Sequence, residues 1–239
     1  MAKAASTTSS DDVALLAFLR VIASSGVTAV ERLVESSPNL AVATLRDGAT
    51  RQDPDTYWIP EIGHHVYAGD TALHVASAAH RPTTAASLIA KGANVRARNR
   101  RGASPLHYAA DGNAEDPSDQ RAVIELLISV GADPNSRDKG GVAPLHRAVR
   151  TRSTQAVRTL LDHGADPRLG NKQGSTPLHL AVQSTGASRS GTAQAKEHQR
   201  EIIVLLLQRG AKASDTDLKG KTVAAAATSD WMRELLDTR

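Results

Sequence analysis

The chain of 239 residues has no cysteine, and its aromatic residues are limited to two Trp, three Tyr and one Phe. The absence of cysteine excludes disulfide bonds and thiolate metal sites. With so few large rings, Ala, Leu, Val and Ile must fill the core, which suits thin layers of closely packed helices. No apolar run approaches the length of a membrane span. The start of the chain is small and polar, so we expect no cleaved secretory signal, and cytoplasmic location is the default expectation.

The charges are distributed unevenly along the chain: basic residues are the minority in its N-terminal part, and acidic residues are the minority in the rest. The net charge is +4. Residues 1–68 contain five Lys or Arg and eight Asp or Glu, which gives −3, whereas residues 69–239 contain 24 and 17, which gives +7. The larger, C-terminal part is therefore basic, and this asymmetry bears on the choice of partner.

A short sequence recurs along the chain. Gly-x-x-Pro-Leu-His begins at Gly102, Gly141 and Gly174, with variants at Gly69 and Gly220, so the spacings are 33, 39, 33 and 46 residues. A second series of glycines repeats the last three of these spacings at Gly92, Gly131, Gly164 and Gly210. The extra residues of the two longer spacings therefore lie inside single repeats.

The recurring segments resemble the ankyrin repeat, a β-turn followed by two antiparallel helices. The resemblance implies an all-α fold: an ankyrin-repeat solenoid of helix–turn–helix units with β-turn fingers and with capping repeats at both ends. The residues agree with this expectation, since Ser104 and Thr176 stand where a helix N-cap is needed and a proline follows each. Ala143 departs from the pattern, and we expect a weaker helix start there.

The repeat phase predicts an order of segments along the chain. These segments are a disordered N-terminus (1–10), a degenerate capping repeat (11–44), a finger-like insertion (45–68), four repeats (69–101, 102–140, 141–173 and 174–219) and a C-terminal capping repeat (220–239). Two insertions, 112–120 and 184–199, are expected as loops at helix ends, the second also lengthening its helix from Ala193. We expect the 45–68 insertion to form an extended finger or a β-hairpin.

Histidines recur once per repeat, at His74, His107, His146 and His179. Their spacing favours a structural role, in which each imidazole hydrogen-bonds backbone between adjacent units, over a metal or catalytic role. His64-His65 lies outside the repeat pattern. Adjacent residues of a strand point to opposite faces, so the pair is poorly suited to share one ion, and we predict no metal and no cofactor.

In the family that these repeats resemble, partners usually bind the concave face, which is built from β-turn tips and the exposed side of the first helices. The matching positions in this sequence are Arg98, Arg100, Arg101, Asp111, Arg137, Lys139, Arg150, Thr151, Lys172, Gln173 and Gln183. Seven of these eleven are basic and one is acidic. Charged tips can serve solubility alone, but they can also form a basic groove for an acidic protein segment.

Three of the six aromatic residues, Tyr57, Trp58 and Tyr67, lie in the 45–68 insertion. Tyr and Trp are enriched at interface hot spots, and we include Tyr57 and Trp58 among the candidate partner-binding residues. The alternative is that these rings fold back onto the apolar edge of the first repeat.

The sequence therefore predicts a monomeric, non-enzymatic module that binds an acidic segment of another protein on its concave face. Nucleic-acid binding by the same basic surface is a second hypothesis, disfavoured because no stacking aromatic lies among the basic tips. An enzyme or metal site in residues 57–67 is a third.

Overall fold

The computed structural model describes residues 10–112, 116–183 and 192–237. The predicted disorder of 1–10 falls outside these ranges, except that Ser10 begins the first helix. The helices of the described chain are α1 (Ser10–Ser24), α2 (Val27–Ser36), α3 (Ala72–Ala78), α4 (Pro82–Ala90), α5 (Pro105–Ala109), α6 (Pro117–Ser129), α7 (Pro144–Arg150), α8 (Thr154–Asp162), α9 (Pro177–Ala181), α10 (Ala193–Gln208), α11 (Val223–Ala226) and α12 (Asp230–Asp237). They form the all-α solenoid that the sequence predicts.

The helix boundaries follow from the recurring residues. Proline occupies the first position of α5, α7 and α9, where its missing N–H has no helical partner to lose. Each of the four longer second helices, α4, α6, α8 and α10, is followed by a glycine with positive φ, as at Gly92 (91°) and Gly131 (99°). The prediction of these starts and stops is confirmed.

The β-turn tips are closed by an Asn or Asp side chain. Oδ1 of Asn99 accepts the N–H groups of Arg101 (2.9 Å) and Ala103 (3.1 Å). The same arrangement recurs at Asp138, Asn171 and Asp217. Neighbouring tips are joined by backbone hydrogen bonds, with the N–H groups of Arg100, Lys139, Lys172 and Leu218 as donors to the preceding tip. The tips therefore form one continuous row.

Inside the solenoid, each repeated histidine connects two units. The N–H of Thr71 donates to Nδ1 of His74 (3.2 Å), so Nε2 carries the proton and donates to the carbonyl of Ala103 (3.2 Å) in the next unit. His107, His146 and His179 make the same contacts one, two and three units further on. The predicted structural role of these histidines is confirmed.

The core runs along the whole stack. First helices pack on first helices (α1, α3, α5, α7, α9 and α11 in turn), and second helices pack on second helices (α2, α4, α6, α8 and α10). One contiguous cluster of buried apolar side chains extends from Leu15 in α1 to Leu236 in α12. Because no helix pair encloses a core alone, each unit is stabilised by burial against its neighbours.

The 45–68 insertion contains a small hairpin, as one of the two predictions for it states. Strand β1 (Trp58–Ile59) pairs antiparallel with β2 (His64–His65), and short 3-10 helices at Asp55–Tyr57 and Pro60–Ile62 flank β1. The insertion does not project as a finger, because Ile59 and Val66 are fully buried in the core cluster. It covers the apolar edge of α1 and α3.

Of the two shorter insertions, the first departs from the expectation of a loop, and the second lengthens its helix as expected. Residues 117–120 belong to the first turn of α6, and α10 begins at Ala193 as expected. A buried glutamine explains each extension. Gln120 Nε2 donates to the carbonyl of Ala109 (3.0 Å), and Gln199 Nε2 donates to that of Ala181 (2.6 Å). In both repeats the extended second helix therefore provides a hydrogen-bond donor for a carbonyl group at the C-terminal end of the first helix. The segments 113–115 and 184–191 lie outside the described residues.

Candidate functional site

A pocket of about 690 Å³ opens between the 45–68 insertion, two successive β-turn tips and the first helices that follow these tips, α5 and α7. It is lined by His64 and Tyr67 of the insertion, by the tips and first helices at 99–111, and by the corresponding residues at 138–150. Five cations line it, Arg100, Arg101, Lys139, Arg147 and Arg150, together with the two carboxylates Asp111 and Asp138. We call this the basic pocket.

The inner part of the basic pocket is an ion-pair cluster. Arg147 donates to Asp111 (3.1 Å) and to Asp138 (3.3 Å), and Arg150 donates to Asp111 (3.3 Å). The side chains of Arg147 and Asp111 are only 12% and 10% exposed. Two cations and two carboxylates therefore neutralise each other in partly desolvated surroundings, where such pairs are little screened by salt.

The outer part of the basic pocket is formed by cations around one ring. The guanidinium carbons of Arg100 and Arg101 lie 5.4 Å and 4.9 Å from the centroid of Tyr67. Arg101 also donates to the Tyr67 hydroxyl (2.8 Å), and Arg100 donates to the carbonyl of Ala49. Lys139 stands on the next tip, joined to the first by its N–H, which donates to the carbonyl of Arg101 (2.9 Å).

Beneath the basic pocket, the buried carboxylate of Asp70 holds the surrounding elements in place. It accepts the N–H of Tyr67 (2.7 Å), the Nδ2 of Asn99 (2.9 Å) and the hydroxyl of Tyr108 (2.7 Å). Its three partners belong to the insertion, a tip and α5. Burial raises the pKa of Tyr108 well above its ordinary value, and the Asp70 charge raises it further, so the hydroxyl remains a donor.

His64 completes the inner wall. Its ring stacks on Tyr108 with the centroids 5.4 Å apart, and its Nε2 lies 3.9 Å from a carboxylate oxygen of Asp111. Burial lowers the pKa of His64, against the opposing effect of Asp111, so the imidazole is neutral at pH 7. His65 instead contacts Trp58, at 4.7 Å between centroids, so different rings engage the two histidines. Across 10–112, 116–183 and 192–237, no group of three or more His, Cys, Asp or Glu side chains is arranged to hold a metal ion.

The predicted site residues divide into two sets. Those that the structure brings together in the basic pocket are Arg100, Arg101, Asp111, Lys139 and Arg150. The others, Arg98, Arg137, Thr151, Lys172, Gln173 and Gln183, do not line it. Among these, Arg98 is used structurally, because its Nη1 donates to the carbonyls of Gly102 and Arg137 (both 2.8 Å).

One predicted partner contact is wrong, and a second is already paired within the chain. Tyr57 is 4% exposed, because its ring packs into the core with Ile59, and it is not available to a partner. Asp111 is buried, because it accepts from Arg147 and Arg150. Trp58 remains 38% exposed. Thus of the two aromatic candidates, one packs back onto the first unit and one stays at the surface.

Sequence reasoning missed several pocket residues, among them Tyr67, Arg147 and Asp138. Tyr67 could have been found from the repeat phase, since it precedes Gly69 by two residues, as Arg100 precedes Gly102. Its position also removes the argument that no aromatic lies among the basic tips. The pairing of Arg147 with two carboxylates has no signal in the sequence, because it depends on how far neighbouring units are rotated.

Comparison with known proteins agrees with this architecture. The sequence model of the family described as Ankyrin repeats (3 copies) matches residues 19–138 and 114–217. The chain therefore belongs to the ankyrin-repeat family, whose members generally serve as protein–protein interaction modules and are typically non-enzymatic. A comparison with curated proteins finds no significant match. Within the part of the chain that the structure describes, no helix has both the length and the apolar character needed to cross a membrane.

Proposed function

We propose that the chain is a monomeric, non-enzymatic interaction module that binds an acidic segment of another protein on its concave face, through the basic pocket. The supporting observation is the charge of that pocket. Five cations oppose two carboxylates, and His64 is neutral, so the lining carries a charge of +3. Such a surface steers an acidic partner toward the site and disfavours basic ones.

The exposed tips beyond the pocket extend the same surface. Arg137 and Lys172 are exposed on the tips, so an acidic segment leaving the pocket passes further cations. At the end of the row the tip carries Leu218 instead, which is 78% exposed. An extended segment running along the tips would therefore meet charge first and an apolar contact last.

Charge reversal tests this proposal. In the triple variant Arg100→Glu, Arg137→Glu and Lys139→Glu, we expect capture of the partner from cell extract to be abolished, while circular dichroism shows unchanged helicity. Capture by the wild-type protein should also weaken steeply as salt rises through about 0.1 M, where the screening length falls to about 10 Å.

The matched control reverses three exposed cations that lie on second helices or at their ends, Arg32, Lys91 and Lys196. Its net charge equals that of the first variant, so any loss due to overall charge alone would appear in both. We expect this control to capture the same proteins as the wild type. Equal capture by all three proteins would show that the concave face is not the binding surface.

A further inference from the structure

We propose that the outer part of the basic pocket receives a phosphorylated side chain of the partner's acidic segment. This inference rests on the proposed function, because it names the group within that segment that enters the pocket. It follows from which cations are already neutralised, where the remaining ones lie, and what hydrogen-bonding capacity they keep.

The charge of the pocket is concentrated in its outer part. Arg147 and Arg150 are paired with Asp111 and Asp138, so these four residues sum to zero. Arg100, Arg101 and Lys139 make no ion pair with any carboxylate of the described chain. The whole excess of +3 therefore lies on three neighbouring side chains.

The guanidinium groups of Arg100 and Arg101 are held close to one another although their charges repel. Arg100 and Arg101 both lie within 5.4 Å of the Tyr67 ring centroid, and Lys139 is hydrogen-bonded through its backbone to Arg101. The guanidinium groups are oriented by the neutral acceptors of Ala49 and Tyr67, which leave their remaining N–H groups available. A set of cations fixed by uncharged partners is preorganised for an anion, because the anion supplies the only counter-charge.

The excess suits a phosphate group better than a single carboxylate. A phosphorylated Ser, Thr or Tyr carries about −1.5 to −2 charges at pH 7 and presents three acceptor oxygens. A guanidinium offers a planar pair of N–H donors that matches two of these oxygens, while an ammonium group supplies a point charge. Two guanidiniums and one ammonium can therefore engage all three oxygens, whereas one Glu would leave donors unpaired and charge uncompensated.

The shape of the surface favours a phosphorylated protein segment over a nucleic acid. Binding of single strands combines cations along the backbone with rings on which bases stack. Here three unpaired cations are clustered in the outer part of the pocket, and the tips further along carry the exposed residues Arg137, Lys172 and Leu218 but no aromatic residue. The Tyr67 ring, which is the pocket aromatic nearest these cations, is already in contact with two guanidiniums.

The test uses three peptide libraries with identical random flanks and a fixed central residue, which is phosphoserine, Glu or Ser. A single-stranded oligonucleotide of random sequence is the fourth probe. Bound peptides are counted by mass spectrometry, and affinities of selected peptides are measured by fluorescence anisotropy at physiological salt. We expect at least about tenfold enrichment of the phosphoserine library over the Glu library, equivalent to one well-formed charged interaction.

The variants locate the binding. Lys139→Gln and Arg101→Gln should each weaken a selected phosphopeptide about tenfold. Lys91→Gln is the matched control, because it removes the same charge from an exposed lysine at the end of α4, away from the pocket, and it should change affinity less than threefold. The Lys139 side chain has no hydrogen-bond or ion-pair partner in the described structure, so Lys139→Gln separates lost binding from lost folding even if Arg101→Gln unfolds the tip.

Each other outcome overturns the inference in a distinguishable way. Equal enrichment of the Glu and phosphoserine libraries would leave an acidic-segment module without a phosphate pocket, and equal losses in Lys139→Gln and Lys91→Gln would place phosphopeptide binding outside the pocket. Failure of both libraries to bind would remove the proposed function as well. Tighter binding of the oligonucleotide than of any peptide would assign the basic surface to nucleic acid.

Discussion

The row of histidines inside the solenoid and the basic pocket on its surface are built from the same first helices, yet they follow different rules. In the interior, His74 and His107 make the same pair of backbone contacts, one unit apart. On the surface, equivalent tip positions differ, with Lys139 in one unit and the exposed Leu218 in another. The interior residues recur because every unit must pack against its neighbours. The exposed residues can vary because packing between units does not constrain them.

Asp70 contacts both the interior row and the residues that support the pocket, so its replacement should cause the largest loss of stability. Its carboxylate supports the pocket through Tyr67, Asn99 and Tyr108, and lies 3.8 Å from Nε2 of His74 in the interior row. Asp70→Ala removes the acceptor of the Tyr67 N–H and of the Tyr108 hydroxyl, and leaves Asn99 Nδ2 only its bond to the Tyr108 hydroxyl (3.1 Å). We expect the free energy of unfolding to fall by about 3–5 kcal/mol, measured by urea denaturation.

The control for Asp70→Ala is Asp55→Ala, at an exposed carboxylate of the same insertion. We expect it to change stability by less than about 0.5 kcal/mol. If Asp70→Ala lowered stability no more than this control, the interior and the pocket would be energetically independent.

The interior row should also respond to acid, because burial lowers the pKa values of His74, His107 and His146, that of His107 to about 3. In the unfolded chain these side chains bind protons below about pH 6.5, whereas in the folded chain they remain neutral. The stability they provide is thus complete above pH 6.5 and is lost as the pH falls below it, in the case of His107 down to about pH 3. Each contributes a slope of up to about 1.4 kcal/mol per pH unit.

Urea denaturation at a series of pH values between 7.5 and 4.5 measures this slope. His107→Gln should be less stable than the wild type at pH 7.5 and should lose stability less steeply on acidification. His198→Gln, at an exposed histidine of α10, is the matched control, and its profile should overlay that of the wild type. Parallel profiles for all three proteins would contradict the assignment of acid sensitivity to the interior row.

The same contrast explains what could be predicted from the sequence. The histidine contacts and the glycine and proline positions recur, so their roles follow from spacing alone. The sequence offered burial of the aromatic rings as an alternative but could not tell which of Tyr57 and Trp58 is buried, and it did not predict the helical state of 117–120, because each depends on a tertiary partner specific to one unit. The repeat phase identifies Arg100 and Arg101, but their convergence on Tyr67 depends on the packing of the 45–68 insertion.

Ala143 departs from the interior pattern, and a single substitution can restore that pattern. This substitution should cause the smallest change in stability. Helix α7 begins without a side-chain cap, although the N–H of Ala143 still donates to Nδ1 of His146 (3.2 Å). In the preceding unit, the hydroxyl of Ser104 lies 2.9 Å from Nδ1 of His107. Ala143→Ser adds the equivalent hydroxyl at a position where the backbone already has the extended geometry of a cap.

We expect Ala143→Ser to raise the free energy of unfolding by about 1 kcal/mol, and Ser104→Ala to lower it by a similar amount. Both are measured by urea denaturation at pH 7.5, where the histidine partners are neutral. Binding of an acidic or phosphorylated peptide should be unchanged in Ala143→Ser, because the added hydroxyl lies in the interior row and Ala143 does not line the basic pocket. A change in peptide affinity without a change in stability would show that the interior does more than hold the surface in place, and the separation between the two regions would then fail.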